Sequence, residues 1–345
     1  MTGGLGGVLR RTSRTFYLSL IVLPPELRKP LGLAYLLARA TDTVADTRLI
    51  PRAERRAHLE TLRTAYQGGT ADVAAVGRAC ASVQAHAHEH ELLHRVGEVL
   101  ARVERLPVVD RDAVRDVLST ITDGQLFDLE RFPGDSAATL AALETLDELD
   151  RYTFLVAGCV GQFWTTMHLA HRPRLAVWDR TVMTGRGIRF GKALQLTNVL
   201  RDVPADLQTG RCYLPARDLI AAGLTPRDLL DPKATARARP VLRRLLDLTL
   251  AHYEEAWRYT LAIPRSEWRM RLACAWPLLI GLATLRAIAA HPDPLAAGER
   301  IKISRGAVRG ILARSLALVW SDDALRAEAA RLSNSLRAVR EERTV

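Results

Sequence analysis

Hydrophobic residues recur every three to four positions along most of this chain, which is the spacing of amphipathic α-helices. Strand-like alternation is almost absent. Prolines and glycines divide the pattern, with Pro30 and Pro51 before two helices and Gly68-Gly69 and Pro133-Gly134 after two others. The predicted helices cover 31–47, 52–66, two stretches within 71–105, 110–131, 145–170, 177–203, 234–261, 267–290, 297–320 and 322–342.

This pattern predicts an all-α protein. No internal repeat, low-complexity segment or long linker marks a second domain. We therefore expect a single all-α domain over residues 1–345, with a core over about 10–320 and a polar C-terminal helix over 322–342.

The segment 191–215, GKALQLTNVLRDVPADLQTGRCYLP, carries polar residues at helical spacing. Asn198, Asp202 and Asp206 follow one another at intervals of four, with Gln195 three positions earlier, so a helix places them on one face. Their amide and carboxylate oxygens suit a hard cation such as Mg²⁺, although a solvated helix face has the same pattern. Because Pro204 lacks a backbone donor, we expect the helix to kink or restart before Asp206.

A second acidic pair lies far upstream, in YLLARATDTVADT (35–47). Asp42 and Asp46 are four residues apart, and Arg39 precedes Asp42 by one turn. Two carboxylate sets in apolar surroundings are costly to bury without cations between them, whereas the alternative is a pair of surface carboxylates. Together with the set after Gly191, they favour a cluster of Mg²⁺ ions that grips a diphosphate.

Composition narrows the class of partner. The formal net charge is +11, and only four of the 49 basic residues are lysines: Lys29, Lys192, Lys233 and Lys302. Such a chain favours anionic partners, namely nucleic acid, an acidic membrane surface or a phosphorylated substrate. The arginines are dispersed among acids without an aromatic-interleaved patch, so we expect no nucleic acid partner.

Cysteine and histidine residues add little chemistry at this stage. The four cysteines are scattered without C-x-x-C spacing, which is typical of a reducing cytosol and argues against a zinc site. His86, His88, His90 and His94 are spaced like metal ligands, but they lie among Glu89 and Glu91 on a polar stretch, and we interpret them as solvent-exposed.

Four segments, in order, resemble the squalene/phytoene synthase family: SRTFYLS (13–19), YLLARATDTVAD (35–46), YTFLVAGCVG (152–161) and LQLTNVLRDVPADLQTGRCYLP (194–215). The resemblance covers roughly Arg10 to Leu318. It implies the all-α isoprenoid synthase fold, with helices around a central cavity. It also implies head-to-head joining of two farnesyl diphosphates through presqualene diphosphate to squalene, with Mg²⁺ and NADPH (or NADH) as cofactors.

The resemblance also assigns residues to roles. Tyr152 stands where the family places a tyrosine near the first coupling step, and its role is proton transfer or cation stabilisation. The implied catalytic residues are Tyr152, Asp42, Asp46 and Asp202. The implied metal ligands are Asp42, Asp46, Asn198, Asp202 and Asp206. The implied substrate-binding residues are Ser13, Arg14, Tyr35, Arg39, Gln195, Asn198 and Arg201. The implied NADPH contacts are Arg14, Arg39, Lys302 and Arg305, the last two in IKISRG (301–306).

The first acidic motif points to one branch of this family. Asp42 is followed by Thr43, the D-T-x-x-D form that resembles NADPH-using squalene synthases, whereas phytoene and dehydrosqualene synthases usually open this motif with two adjacent aspartates. Ala45 departs from the eukaryotic squalene synthases, which carry an acid there. The alternative is an NADPH-independent relative that makes dehydrosqualene, phytoene or presqualene diphosphate.

The location follows from what the chain lacks. The start lacks the apolar core of a signal peptide, and the longest apolar run, Ala273 to Ile280, is shorter than the roughly 20 residues of a membrane-spanning helix. We expect a cytoplasmic protein without a transmembrane segment. Ile303 to Trp320, with arginines on an apolar helix, allows two interpretations: an interfacial helix peripheral to the inner membrane, or a cavity-lining core helix.

Overall fold

The computed structural model describes residues 4–12, 14–84, 86–296 and 301–342. It confirms the all-α prediction. The helices are α1 (Leu5–Thr12), α2 (Arg14–Val22), α3 (Pro25–Asp46), α4 (Arg52–Tyr66), α5 (Val73–Ala81), α6 (Ala87–His94), α7 (Val96–Val103), α8 (Val108–Arg131), α9 (Leu146–Thr153), α10 (Cys159–His171), α11 (Arg180–Gln208), α12 (Ala216–Ala221), α13 (Thr235–Ala262), α14 (Trp268–Ala290), α15 (Arg305–Leu318) and α16 (Asp322–Glu342).

A pair of two-residue strands is the extended structure within the described ranges. β1 (Ala141–Ala142) pairs in parallel with β2 (Arg211–Cys212). The turn between α11 and β2 requires glycine, because Gly210 has φ 83° and a Cβ there would lie 2.8 Å from the carbonyl oxygen of Ser136. This turn fixes the end of α11, the helix that carries the second acidic motif.

The chain forms two compact units, of which the first comprises Met1–Glu130 and Leu155–Gly185. Its central element is α3, which packs against α1, α2, α4, α6, α7 and α10. Proline at the first position and a run of leucines and alanines favour this helix, and Leu33, Leu36 and Leu37 are buried. The first acidic motif lies at its C-terminal end, where Asp46 is the last helical residue.

The second unit comprises Arg131–Phe154 and Arg186–Val345. Its central element is α14, which packs against α13, α15 and α16. Gly281 of α14 lies against Tyr253 of α13, so closely that a Cβ would overlap the tyrosine hydroxyl. The same hydroxyl hydrogen-bonds Thr197 of α11 at 2.9 Å, and this bond ties the helix of the second acidic motif to the core of its unit.

Several helix boundaries differ from the sequence predictions. α3 begins at Pro25, so Pro30 lies inside it, and the stretch 71–105 forms three helices instead of two. Of the kink or restart predicted before Asp206, the restart is wrong, because α11 continues through Pro204 to Gln208. The helix expected from residue 297 begins at Arg305, where the side chain of Ser304 accepts a hydrogen bond from the Ala307 amide and caps it.

One helical stretch, Arg265–Ala290, is long and apolar enough to cross a membrane by length and composition alone. Its most apolar window is 67% buried, as in the core helix of a soluble protein. α14 provides most of this stretch, and its role at the centre of its unit accounts for the apolar composition.

Candidate active site

The first acidic motif lies on a polar stripe along α3. Tyr35, Arg39 and Asp42 are partly accessible and Asp46 is exposed, whereas all the residues between them except Ala38 are buried. Their spacing of four, three and four residues places all of them on one face, as predicted. The structure therefore presents both carboxylates to a ligand from the same side of one helix.

Asp42 is held by its neighbours within this unit. Nε2 of Gln125, on α8, donates a hydrogen bond to Oδ1 of Asp42. Burial, and then the nearby charge of Asp46, raise the pKa of Asp42 to about 7, against the opposing effects of Arg39 and of the Gln125 hydrogen bond. A cation bound between the two carboxylates would remove the repulsion that raises this pKa.

Sequence reasoning missed Gln125. It is 7% exposed, and its Oε1 atom is buried without a hydrogen-bond partner among the described residues. Gly124 precedes it, and a Cβ there would lie 2.7 Å from Val156 and 3.0 Å from Leu155, so this part of α8 approaches its neighbour closely. The sequence feature that could have indicated Gln125 is a Gly-Gln pair inside a long helix. An amide side chain that is buried there needs a polar partner.

The other predicted residues of the first unit have partners of their own. Arg39 donates to Glu89 of α6 at 2.6 Å, and the Tyr35 hydroxyl donates to the carbonyl oxygen of Thr12 at 3.1 Å. Burial lowers the pKa of Arg39, but Asp42 and Glu89 together outweigh it and raise that pKa. Ser13 lies outside the described residues, and of Arg14 only the backbone position at the start of α2 is described.

The second acidic motif forms the corresponding stripe on α11, in the second unit. Gln195, Asn198, Asp202 and Asp206 are all partly accessible, as the interval of three and four residues predicts. The opposite side of the helix is apolar and buried, through Leu196, Val199, Leu200, Val203 and Leu207. The continuous helix keeps Asp206 in this series despite Pro204.

Side chains on the α11 stripe contact one another. Arg201 forms a two-pronged ion pair with the adjacent Asp202, at 3.0 and 2.5 Å. Nδ2 of Asn198 donates to Oε1 of Gln195 at 3.4 Å. A residue predicted to bind phosphate is thus paired with a residue predicted to bind metal, and an incoming cation and phosphate together could exchange with this pair.

Tyr152 lies beside the same helix, within the second unit. Its ring stacks on Tyr213 with centroids 4.7 Å apart, and Nε2 of Gln195 lies 3.5 Å from its hydroxyl oxygen. Phe132 packs edge to face on Tyr213, with ring centroids 5.1 Å apart. These contacts hold Tyr152 in one orientation next to the α11 stripe.

Lys192 is a second residue that sequence reasoning missed. It is buried, its ammonium group donates to Asp150 at 2.6 Å, and it lies 6.0 Å from the centre of the Phe154 ring. It begins the stripe one turn before Gln195. Its presence as one of four lysines, inside an apolar helix, was the available signal.

The basic residues predicted for cofactor binding in the second unit are Lys302 and Arg305. Both are exposed; Lys302 precedes α15, and Arg305 is its first residue. A helix N-terminus with nearby cations is a favourable place for phosphate oxygens. Arg39, the predicted contact in the first unit, donates to Glu89.

The donor set fits a hard cation. Within the described ranges, no group of three or more His, Cys, Asp or Glu side chains is arranged to hold a metal by itself. α3 offers two carboxylates, and α11 offers one amide and two carboxylates. Magnesium is usually held by one or two carboxylates together with phosphate oxygens and water, so each stripe has the oxygen donors that such an ion needs.

Comparisons with known proteins agree on one family. The family described as squalene/phytoene synthase matches residues 9–307. Phytoene synthase 1, chloroplastic, of Arabidopsis thaliana is 26% identical over 336 residues, which cover 95% of this chain and 68% of that protein.

Two solved structures share the fold. A structure of TcSQS with the ligand BPH1237 has a TM-score of 0.78 and 23% identity, over 97% of this chain and 90% of that one. Squalene synthase HpnC from Alicyclobacillus acidocaldarius has a TM-score of 0.56 and 22% identity, over 83% and 93%. At these identities the likeness concerns the fold. Because the family match spans most of its length, this chain belongs to the squalene/phytoene synthase family of head-to-head prenyltransferases.

Proposed function

We propose that this enzyme is a squalene synthase, which joins two farnesyl diphosphates head to head through presqualene diphosphate and reduces the product with NADPH. The observation that carries the proposal is the environment of Thr43. Its side chain is buried, and its hydroxyl donates to the carbonyl oxygen of Arg39 at 2.9 Å. Position 43 therefore adds no carboxylate to the α3 stripe, in keeping with the D-T-x-x-D form.

Ionisation of an allylic diphosphate requires neutralisation of the leaving group. In our proposal Asp42 and Asp46 on α3, and Asn198, Asp202 and Asp206 on α11, would hold Mg²⁺. When bound, Mg²⁺ supplies the positive charge that stabilises the departing diphosphate. The raised pKa of Asp42 supports this assignment, because two close carboxylates that repel each other gain most from a shared cation.

Arginines supply the remaining positive charge. Arg39 and Arg201, with Arg14, bind diphosphate oxygens in this proposal, since guanidinium groups donate to phosphate in pairs. Arg201 would exchange Asp202 for phosphate as Asp202 takes up the metal. Ser13, Tyr35 and Gln195 would add uncharged donors.

Tyr152 acts on the first coupling step. Removal of a proton from the coupled cation closes the cyclopropane ring of presqualene diphosphate, and in our proposal Tyr152 takes part in that proton transfer or stabilises the cation. Its stacking on Tyr213 and its approach to Gln195 support this role, because they fix the hydroxyl beside the polar stripe of α11.

The reductant would bind through basic residues of IKISRG. Lys302 and Arg305 would hold phosphate groups of NADPH (or NADH), and Arg14 and Arg39 are the proposed contacts in the first unit. When bound, the nicotinamide supplies the hydride that ends the reaction. Exposure of both residues at a capped helix start supports phosphate binding there.

A second candidate is phytoene synthase. The curated relatives support it, since the Arabidopsis protein described above carries that name at 26% identity. In this case the enzyme would take geranylgeranyl diphosphate and would need no reductant. An NADPH-independent dehydrosqualene or presqualene diphosphate synthase is the corresponding variant with farnesyl diphosphate.

Product analysis separates these candidates. The purified enzyme is incubated with Mg²⁺ and either farnesyl or geranylgeranyl diphosphate, with and without NADPH, and the extract is analysed by gas chromatography and mass spectrometry. Squalene formed from farnesyl diphosphate in the presence of NADPH supports the proposal. An identical hydrocarbon with and without NADPH, or phytoene from geranylgeranyl diphosphate, would contradict the squalene synthase proposal and support the second candidate.

Peripheral membrane contact is part of the proposal for a cytoplasmic enzyme with a water-insoluble product. α15 buries only Ile311 and Ser315 within its described length, and this exposure supports the interfacial interpretation. Leu316 and Trp320 are about half exposed, and arginines accompany them. An exposed helix with apolar and cationic side chains is typical of binding at an anionic membrane surface.

A further inference from the structure

Helix α6 contains the sequence His90-Glu91-Leu92-Leu93-His94. His90 and His94 are one turn apart on the same exposed face, with ring centroids 4.4 Å apart. This is the arrangement in which two imidazoles on one helix chelate a divalent metal ion. Because both side chains are exposed, their rings can turn toward a shared ion without any change of the backbone.

The imidazoles are available to a ligand, whereas the neighbouring carboxylates are engaged. Within the described residues, the side chains of His90 and His94 make a ring contact with each other and no hydrogen bond or ion pair. Glu89 pairs with Arg39 at 2.6 Å. Glu91 pairs with Arg11 and, at 3.6 Å, with Arg95. The nitrogen ligands therefore stand apart from the charged network around them.

We propose that His90 and His94 form a surface site for a divalent transition metal of the Zn²⁺ class. Imidazole nitrogen suits Zn²⁺, Ni²⁺ and Cu²⁺, whereas Mg²⁺ prefers oxygen ligands, so this site is chemically distinct from the carboxylates of α3 and α11. Water completes the coordination shell. The ion pairs of Glu91 leave it no role as a general base, so we assign metal binding and no hydrolytic activity.

The other two histidines of the patch do not join the pair. His86 precedes α6 with an extended backbone (φ −100°, ψ 117°), and its ring stacks on His88 at 5.6 Å. His88 is partly buried and lies two residues before His90, on a different face of the helix. The site thus has two protein ligands, for which we expect binding in the micromolar range and a preference for Cu²⁺ over Ni²⁺ and Zn²⁺.

Equilibrium dialysis of the untagged full-length protein against ZnCl₂, with excess MgCl₂ present, tests the proposal. Metal content is measured by mass spectrometry. We expect one Zn²⁺ per chain, unaffected by Mg²⁺, and a loss of affinity of about tenfold or more in His90→Gln and in His94→Gln. His88→Gln is the matched control and should bind Zn²⁺ like the wild type. The four cysteines are buried and should not contribute.

A second measurement needs no variant. Diethyl pyrocarbonate modifies accessible imidazoles, and peptide mass spectrometry should show that Zn²⁺ protects His90 and His94 but not His86. Zinc binding that survives the double substitution His90→Gln/His94→Gln would overturn the proposal, as would an equal loss in His88→Gln or absence of protection. Each readout concerns metal binding and not turnover, so its failure leaves the proposed function untouched.

Discussion

Gln125 on α8 donates a hydrogen bond to Asp42 on α3, across 83 positions of the sequence. The bond engages one carboxylate oxygen of Asp42 and leaves the other for a ligand. The carbonyl oxygen of the Gln125 side chain, Oε1, is buried without a hydrogen-bond partner among the described residues. A water molecule bound to a metal ion is a donor of the kind that such an acceptor lacks. Gln125 is therefore a positioning residue for the first acidic motif.

Replacement of Gln125 by leucine should weaken the response to magnesium. We expect the Mg²⁺ concentration for half-maximal turnover to rise about tenfold, with a smaller change at saturating Mg²⁺, because Asp42 loses its orientation but keeps its ligand atoms. Steady-state rates over a range of MgCl₂ concentrations measure this. Gln84→Leu is the control, since Gln84 donates to Thr47 at 2.6 Å and does not touch Asp42. Equal effects of both changes would remove the special role of Gln125.

The raised pKa of Asp42 predicts how stability depends on pH. Ionised Asp42 is disfavoured in the folded state, so the metal-free protein loses stability as pH rises from the ordinary pKa of 3.8 to about 7. Asp42→Asn removes this loss. The variant should therefore be more stable than the wild type by up to about 4 kcal/mol at pH 8, and by less at pH 5.

Urea unfolding in the presence of a chelator measures this difference at both pH values. Asp116→Asn, an exposed carboxylate on α8, is the matched control and should change stability little at either pH. Addition of Mg²⁺ should stabilise the wild type more than Asp42→Asn. A variant that is less stable than the wild type at pH 8 without metal would contradict the assigned direction of the pKa shift.

Tyr152 should affect the first coupling step more than the binding of substrate. In Tyr152→Phe the stacking on Tyr213 remains while the hydroxyl is lost, and we expect formation of presqualene diphosphate to slow about a hundredfold, with little change in KM. Rapid-quench measurement of the intermediate tests this. Tyr213→Phe keeps the stack and should retain most of the rate. A wild-type rate in Tyr152→Phe would exclude the hydroxyl from the step.

Leu316 of α15 and Trp320, which follows the end of that helix, should contribute to membrane binding. We expect Leu316→Ser/Trp320→Ser to reduce co-sedimentation with anionic liposomes, because both substitutions remove apolar area that a membrane would bury. Leu49→Ser is the control, since Leu49 is 77% exposed and lies in the first unit. Absence of co-sedimentation by the wild type would dismiss the interfacial helix.

Periodicity predicted the parts of this protein that depend on local sequence. The all-α class follows from the spacing of apolar residues, and the two polar stripes follow from intervals of three and four residues. The acidic stripes could be recognised because each lies within one helix. The sequence shows that position 43 carries no carboxylate. It did not show that the Thr43 hydroxyl donates to the carbonyl oxygen of Arg39.

Contacts between distant segments could not be predicted. The partners of Asp42 and Arg39 are Gln125 and Glu89, which lie on other helices and follow no local pattern. The path of α11 through Pro204 is a similar case, since tertiary packing of its apolar side outweighs the cost of the missing donor. The partners of such residues depend on tertiary packing. They cannot be predicted from the local pattern of a single sequence.

The most direct test of the central claim is turnover of farnesyl diphosphate by Asp42→Ala and Asp202→Ala. The claim is that carboxylates on α3 and on α11 hold Mg²⁺ for ionisation of the diphosphate. Each variant should lose turnover by at least about a thousandfold while the far-UV circular dichroism remains helical, whereas Asp116→Ala should stay near the wild-type rate. Wild-type turnover in either folded variant would contradict the assignment of these residues to the metal site.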